Sequence, residues 1–272
     1  IRNDEMRALM NSDPERAMPE LEQLLKSSKA TPKEKREAMF VLAQSGSPKA
    51  REIMGRIARG ESNPELQRKA VEYLGLFGGT QSRQTLEEVY KASSDASLKR
   101  AILRSYMLAG DKVRLFAAAK SETNEEVRGE AIRQLGLCGG TSELGQLYQS
   151  ESSSVVRQQL LQAYFLAGDS RKLAEAAQSE KDPELRRTAV RNLGLVHSTD
   201  SATALETIYA KESDYSVRRE VLNAFFLQGN AHSLVAIARA EKDPGLKKEA
   251  VQKLSLMHSK EATDYLMELL NK

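Results

Sequence analysis

Tryptophan is absent from the 272-residue sequence, cysteine occurs once, and only three residues are histidine. A single thiol excludes an internal disulfide framework and any cysteine cluster for metal. That thiol, Cys138, sits in LGLCGG near the end of an apolar run and reads as a small buried core residue. Aromatic residues make up 5% of the chain against 40% hydrophobic. Thin helix–helix layers of Leu, Ala and Val are therefore expected instead of a thick globular core. No apolar run approaches the roughly 18 residues a membrane helix needs, so no membrane insertion is expected. Charge of one sign is missing as well: 41 basic and 38 acidic residues leave a formal +3, too little to announce nucleic acid by itself. The sequence opens at Ile1 with no initiating Met and no signal-like segment, and nothing in it specifies a compartment.

What the chain has in abundance is self-similarity. DPELRRTAVRNLGLV from Asp182 recurs as NPELQRKAVEYLGLF from Asn63, NEEVRGEAIRQLGLC from Asn124 and DPGLKKEAVQKLSLM from Asp243. More divergent copies start at Ser97, Val155 and Ser216. Such repetition marks a repeat array. Asp182 is a good N-cap, Pro183 sits where its missing N–H costs nothing, and Glu184 suits the first turn. At about 100° per residue, Leu185, Ala189, Val190, Leu193 and Val196 share one face, and Arg187 and Arg191 lie opposite. Arg186 falls inside the apolar arc, so it needs a partner, expected to be Asp182 or the Asp of a neighbouring copy.

The turn after each copy aligns Gly46, Gly78, Gly110, Gly139, Gly168, His197, Gly229 and His258, at intervals of 32, 32, 29, 29, 29, 32 and 29. That length holds two helices, so eight helix pairs and a last helix fill the chain. One domain is expected over 1–272: an N-terminal cap or linker (1–13), repeats (14–257) and a C-terminal cap (258–272). Pro19 should kink or restart the first paired helix. The last helix should turn Leu266, Leu269 and Leu270 inward. Gly75, Gly78, Gly79, Gly139 and Gly140 follow helices and read as C-caps, not as a phosphate loop.

These columns resemble the HEAT-repeat family, in the short bacterial form whose second helix reads roughly D-P-x-V-R-x-x-A-hydrophobic-x-x-L-G. The matching residues include Asp182, Pro183, Leu185, Arg186, Ala189, Val190, Leu193 and Gly194, and the pattern runs from about Thr31 to Met257. The resemblance implies an all-α fold, a right-handed α-α superhelix (α-solenoid) of about eight helix pairs plus a C-terminal capping helix. It also implies a bacterial source, a concave face lined by second helices, and an inter-repeat ladder of Asp and Arg. The ladder residues are Asp95, Arg128, Arg157, Asp182, Arg186, Asp214, Arg218, Asp243 and Lys247. Thr31 and Gln67 depart from that pattern near the N-terminus.

On the outward face of the second helices, two columns of sixteen positions hold nine basic residues and one acidic, with a flanking column of glutamates that can neutralise them locally. A second series, Glu61, Glu122, Glu151, Glu180, Glu212 and Glu241, precedes the second helices. It reads either as support for helix starts and ladder cations or as an acidic docking track. Tyr106, Tyr164 and Phe225 alternate into the Leu193 core column, and Met107, Phe165 and Phe226 into the Gly194 column. Large residues are thus expected to face small ones between neighbouring copies.

For catalysis the sequence offers no constellation. His197 and His258 lie two repeats apart, and helices packed about 8 to 10 Å apart put them beyond one metal ion. All three histidines are followed by Ser, unlike the paired His-Glu motifs of HEAT-like metal hydroxylases. No cofactor and no metal are expected. The reading is a monomeric, non-enzymatic protein-interaction scaffold, a module of a longer polypeptide in the cytoplasm or periplasm. Its partner-binding candidates are Arg68, Arg100, Arg104, Arg133, Phe165, Arg187, Arg191, Arg219 and Phe226. The second reading is a binder of an acidic ligand, nucleic acid or acidic peptide, through the same arginines. The third is a bilin-lyase-like enzyme with similar short repeats.

Overall fold

The computed structural model describes residues 2–271, with side chains from residue 4 onward; residues 1 and 272, the outer ends of the two expected caps, lie outside it. Among the described residues there are eighteen α-helices and no strand. The chain divides into two compact units, Ile1–Gln134 and Leu135–Lys272.

The first unit contains α1 (Arg2–Ser12), α2 (Pro14–Lys26), α3 (Pro32–Ser45), α4 (Pro48–Ala58), α5 (Pro64–Phe77), α6 (Gly79–Ala92), α7 (Ala96–Leu108), α8 (Lys112–Ser121) and most of α9 (Glu125–Leu137). Helices α1, α3, α5 and α7 stack in sequence as one layer, and α2, α4 and α6 form the other. The N-terminal segment is thus a helix in the place of a missing second helix. Helix α2 runs unbroken through Pro19. Pro19 is exposed, as is Glu15, whose carbonyl loses its partner, so water can satisfy that carbonyl and the helix need not restart.

The second unit contains α10 (Thr141–Ser150), α11 (Ser154–Leu166), α12 (Ser170–Ser179), α13 (Pro183–Gly194), α14 (Thr199–Lys211), α15 (Tyr215–Leu227), α16 (Ala231–Ala240), α17 (Pro244–Ser255) and α18 (Lys260–Leu270). Here α11, α13, α15 and α17 stack as the second-helix layer, while α12 packs on α14 and α16 on α18. Both units are two-layered α-solenoid segments. In α18 the inward residues are Ala262 and Tyr265; Leu266 and Leu269 are half-buried. Leu270, expected inward, is exposed, in the last turn of α18.

Local chemistry sets the helix boundaries. Asn63, Asp95, Ser153, Asp182, Asp214 and Asp243 each accept a backbone N–H of the first turn. At the other end Gly110 takes φ 65°, and Asp111 N–H reaches back to the Tyr106 carbonyl at 2.8 Å, a turn that needs a left-handed residue. Inside the layers Leu185, Ala189, Val190 and Leu193 are buried, as the wheel requires. Burial of each large aliphatic side chain contributes about 1.5 to 3 kcal/mol.

Gly75, expected as a C-cap, lies inside α5 and, like Gly194, marks a close approach between helices. A Cβ on Gly194 would lie 2.6 Å from Ala224 Cβ, and one on Gly75 would lie 2.3 Å from Ser105 Cβ. Small therefore faces small at these crossings, correcting the expected large-to-small pairing: the helices approach too closely for a side chain. Tyr106, Tyr164 and Phe225, each one residue on from the small contact, turn into the core and are buried.

Candidate partner-binding face

The side chains between pairs form a ladder different from the expected one. The Asp column caps helices: Asp182 accepts Glu184 N–H at 2.9 Å, Asp243 accepts Leu246 N–H at 2.9 Å, and Asp95 and Asp214 do the same for α7 and α15. The cations pair with the glutamate that precedes the next second helix. Lys99 meets Glu122 at 2.9 Å, Arg218 meets Glu241 at 2.7 Å, and Arg157 meets Glu180. Arg186 binds both carboxylate oxygens of Glu212, at 2.7 and 3.2 Å, and donates to the carbonyls of Glu180 and Lys181, each at 3.0 Å. Arg128 donates to the Ala119 carbonyl at 3.0 Å. Lys247, at the last position of the column, is half-buried.

The glutamate wins over the aspartate because the N-cap geometry holds the Asp carboxylate, through Oδ1, against the backbone N–H groups of its own helix, whereas the glutamate reaches both its own turn and the cation. Glu241 accepts the N–H groups of Lys242 and Asp243 at 2.9 Å each, and Glu212 those of Ser213 and Asp214. Glu122, Glu180, Glu212 and Glu241 are nearly buried, so these four are rungs of the ladder and not an exposed docking track.

A third partner joins at every other pair. Tyr90 donates to Glu122 at 2.9 Å, and Tyr148 and Tyr209 donate to Glu180 and Glu241. The cation of each set lies over its tyrosine ring, 5.0 Å away for Lys99 and 4.4 Å for Arg157 and Arg218. Burial, and then the neighbouring carboxylate, raise all three phenols above their ordinary pKa, so they stay protonated donors. Burial pushes Glu122 upward, but Lys99, Tyr90 and the Asn124 N–H outweigh it and leave the carboxyl below its usual range. Glu212 and Glu241 are lowered in the same way, against burial, by their cations, backbone N–H groups and, for Glu241, Tyr209. The tyrosines escaped the sequence reading, although the spacing is constant: nine residues from tyrosine to cation and 23 from cation to glutamate in all three sets.

A groove of about 550 Å³ lies beside one of these sets in the second unit, at α14 and α16, lined by Tyr209, Arg218, Ala236, Ile237, Ala240 and Glu241 among others. Ser233 donates across it to Glu206 at 2.6 Å. The carboxylate and phenol there are already hydrogen-bonded to each other.

Four of the outward arginines are partnered with the next second helix, and Arg133 and Arg187 pair within their own helices. In the first unit Arg100 meets Glu126 at 3.0 Å, Arg104 meets Glu130 at 3.1 Å, and Arg133 meets the same Glu130 at 3.7 Å. In the second unit Arg191 meets Glu220 and Arg219 meets Glu249, both at 3.4 Å, while Arg187 pairs with Glu184 of its own helix at 2.7 Å. Arg68 is exposed and has no ion pair among the described residues. Phe165 and Phe226 are half-buried, and Lys253 Nζ sits 5.6 Å from the Phe226 ring. The face is thus an alternation of arginine and glutamate, not a continuous positive stripe. Cys138 is half-buried, not fully, because it lies in the turn beyond the packed face of α9.

Among the described residues no three of His, Cys, Asp and Glu converge in a metal-binding arrangement, and no helix is long and apolar enough to cross a membrane. Residues 18–107 match the family model described as HEAT repeats. No curated protein matches the chain in sequence. Among solved structures it is similar to human deoxyhypusine hydroxylase in complex with glycerol, at 17% identity over 92% of this chain and 99% of that one, with a TM-score of 0.41. It is also similar to the complex of CpcE and CpcF of phycocyanin lyase from Nostoc sp. PCC7120, at 16% identity over 88% and 93%, with a TM-score of 0.39. For YibA of Escherichia coli the figures are 14%, 93% and 95%, and 0.46. Likenesses this distant carry no argument about chemistry. The helix pairs of this chain are therefore read from their own side chains.

Proposed function

We propose that the chain is a non-enzymatic scaffold that binds a protein partner along the face of its second HEAT helices. The observation that carries this reading is the pairing of Arg100, Arg104, Arg191 and Arg219, each with a glutamate of the next second helix. An alternating surface has little long-range field. It disfavours a polyanion held through counterion release and suits a partner recognised at contact distance. Tyr90, Tyr148 and Tyr209, held protonated by burial, are engaged with Glu122, Glu180 and Glu241 in joining one pair to the next, which supports a role without chemistry.

The test is affinity capture from extract of the source cells, with and without nuclease, on the wild type and on Arg191→Glu/Arg219→Glu. The expected result is a protein that survives nuclease, is lost on the variant, and keeps its intact mass through prolonged incubation with the scaffold. Capture that disappears with nuclease would favour the acidic-ligand reading. A mass change in the partner would make the chain an enzyme.

A further inference from the structure

One column of the second helices has no role in the ladder or in the core. Two residues before the turn position stands Gln44 in the first copy and a leucine in the seven successive copies that follow. In the second unit these are Leu137, Leu166, Leu195, Leu227 and Leu256, and in the first unit Leu76 and Leu108. The neighbouring core column tolerates exchange, holding Leu135, Tyr164, Leu193, Phe225 and Leu254 in the second unit, yet the leucine column does not vary there. Burial cannot be the reason. Leu195 is 43% exposed, Leu227 51% and Leu256 66%, and they sit at the ends of α13, α15 and α17, which stack consecutively. Single exposed leucines are ordinary, but a row of them on adjacent helices is an apolar stripe, and such stripes mark interaction sites.

Charge beside the stripe restricts what can cover it. One turn before Leu195 lies Arg191, and two turns before Leu227 lies Arg219. Arg191 is 50% exposed while its partner Glu220 is 13% exposed, and Arg219 and Glu249 divide in the same sense. The carboxylates lie beneath and the guanidinium groups above. Arg191 meets Glu220 through Nε and Nη2, both at 3.4 Å, and Arg219 meets Glu249 through Nε at 3.4 Å, so the remaining N–H donors of each guanidinium are available to a ligand oxygen. Neutral pairs attract little from a distance, but at contact a carboxylate meets donors and not acceptors. Helices packed about 8 to 10 Å apart set the leucine spacing. That is close to the roughly 10.5 Å advance of seven residues along a partner helix.

We propose that the leucine stripe and the adjacent arginines form a docking surface for an acidic amphipathic helix of another protein, with apolar residues on Leu195, Leu227 and Leu256 and carboxylates on Arg191 and Arg219. This rests on the scaffold reading above and names its contact surface. The test is panning of a random 20-residue peptide library, displayed on phage, against the intact chain. Recovered peptides are then measured by fluorescence anisotropy on three proteins: wild type, Leu195→Ser/Leu227→Ser/Leu256→Ser, and Arg191→Glu/Arg219→Glu. Circular dichroism and Tm are recorded on each preparation, with Leu227→Gln as a milder single variant. Enriched peptides should be net acidic with leucine-like residues at helical spacing, and should lose at least tenfold in affinity on each multiple variant at unchanged Tm. Peptides that bind the leucine variant undiminished would overturn the stripe and leave the scaffold reading standing. Basic peptides, or displacement by a 20-nucleotide single-stranded DNA, would overturn the partner chemistry. A wild-type dimer in sedimentation that becomes monomeric on leucine substitution would make the occupant a second copy and overturn the proposal. Recovery of no peptide at all would count against both readings.

Discussion

Arg186→Ala against Arg187→Ala is the most direct test of the ladder. The two residues are neighbours in sequence and carry the same charge, but Arg186 is 16% exposed and joins α13 to the glutamate before α15, whereas Arg187 is 35% exposed and pairs within its own helix. Removing the Arg186 side chain takes four contacts of 2.7 to 3.2 Å, two to Glu212 and two to carbonyls. Breaking a buried ion pair from one side costs about 3 to 5 kcal/mol. Glu212 keeps two backbone N–H donors, at 2.8 and 2.9 Å, and water can reach the space left by the guanidinium, which brings the expected loss to about 2 to 4 kcal/mol. Arg187→Ala removes one exposed pair and should cost less than about 0.5 kcal/mol. Arg186→Lys should fall between them, since an ammonium cannot reproduce the two-point contact with Glu212. The assay is urea denaturation followed by circular dichroism at 222 nm, in low salt so that the denaturant does not screen the pair. Equal losses at the two arginines, or a loss below about 1 kcal/mol at Arg186, would refute the assignment of inner and outer columns.

Two further outcomes follow from the same geometry. Gly194→Ala should destabilise the second unit by about 1 to 3 kcal/mol through collision with Ala224, whereas Gly145→Ala, in the interior of α10 with nothing within 4 Å, should stabilise it by up to about 1 kcal/mol; thermal melts of the two variants should move in opposite directions. Glu122, Glu212 and Glu241 are held below their ordinary value of 4.5, so the unfolded chain binds protons first as pH falls. Their contribution is complete above about pH 4.5 and disappears as pH drops through the lowered values; urea midpoints should be flat from pH 7 to 5 and fall below 4.5, and a flat midpoint down to pH 3 would remove these carboxylates from the ladder.

Much of the fold was readable before any coordinates, because local physics repeats with the sequence. Asp182-Pro183-Glu184 starts a helix wherever it occurs, Leu185, Ala189, Val190 and Leu193 must share a face, and the 29- or 32-residue interval has room for two helices. Those inferences depend on residues within a turn or two of each other. The leucine column was equally visible as LGL, MLAG and FLAG, but only exposure shows that it serves no core. Tertiary structure alone decided the identity of the rungs. Whether Arg186 meets Asp182 or Glu212 depends on how two helices 26 residues apart are set against each other, and on N-caps that commit the aspartates to backbone N–H groups. It also decided that Gly75 is a close approach and not a cap, since the wheel gives the face a residue occupies but not the distance to the helix opposite. The sequence determined the pairs and their buried faces; stacking determined which charges meet and which leucines are left uncovered.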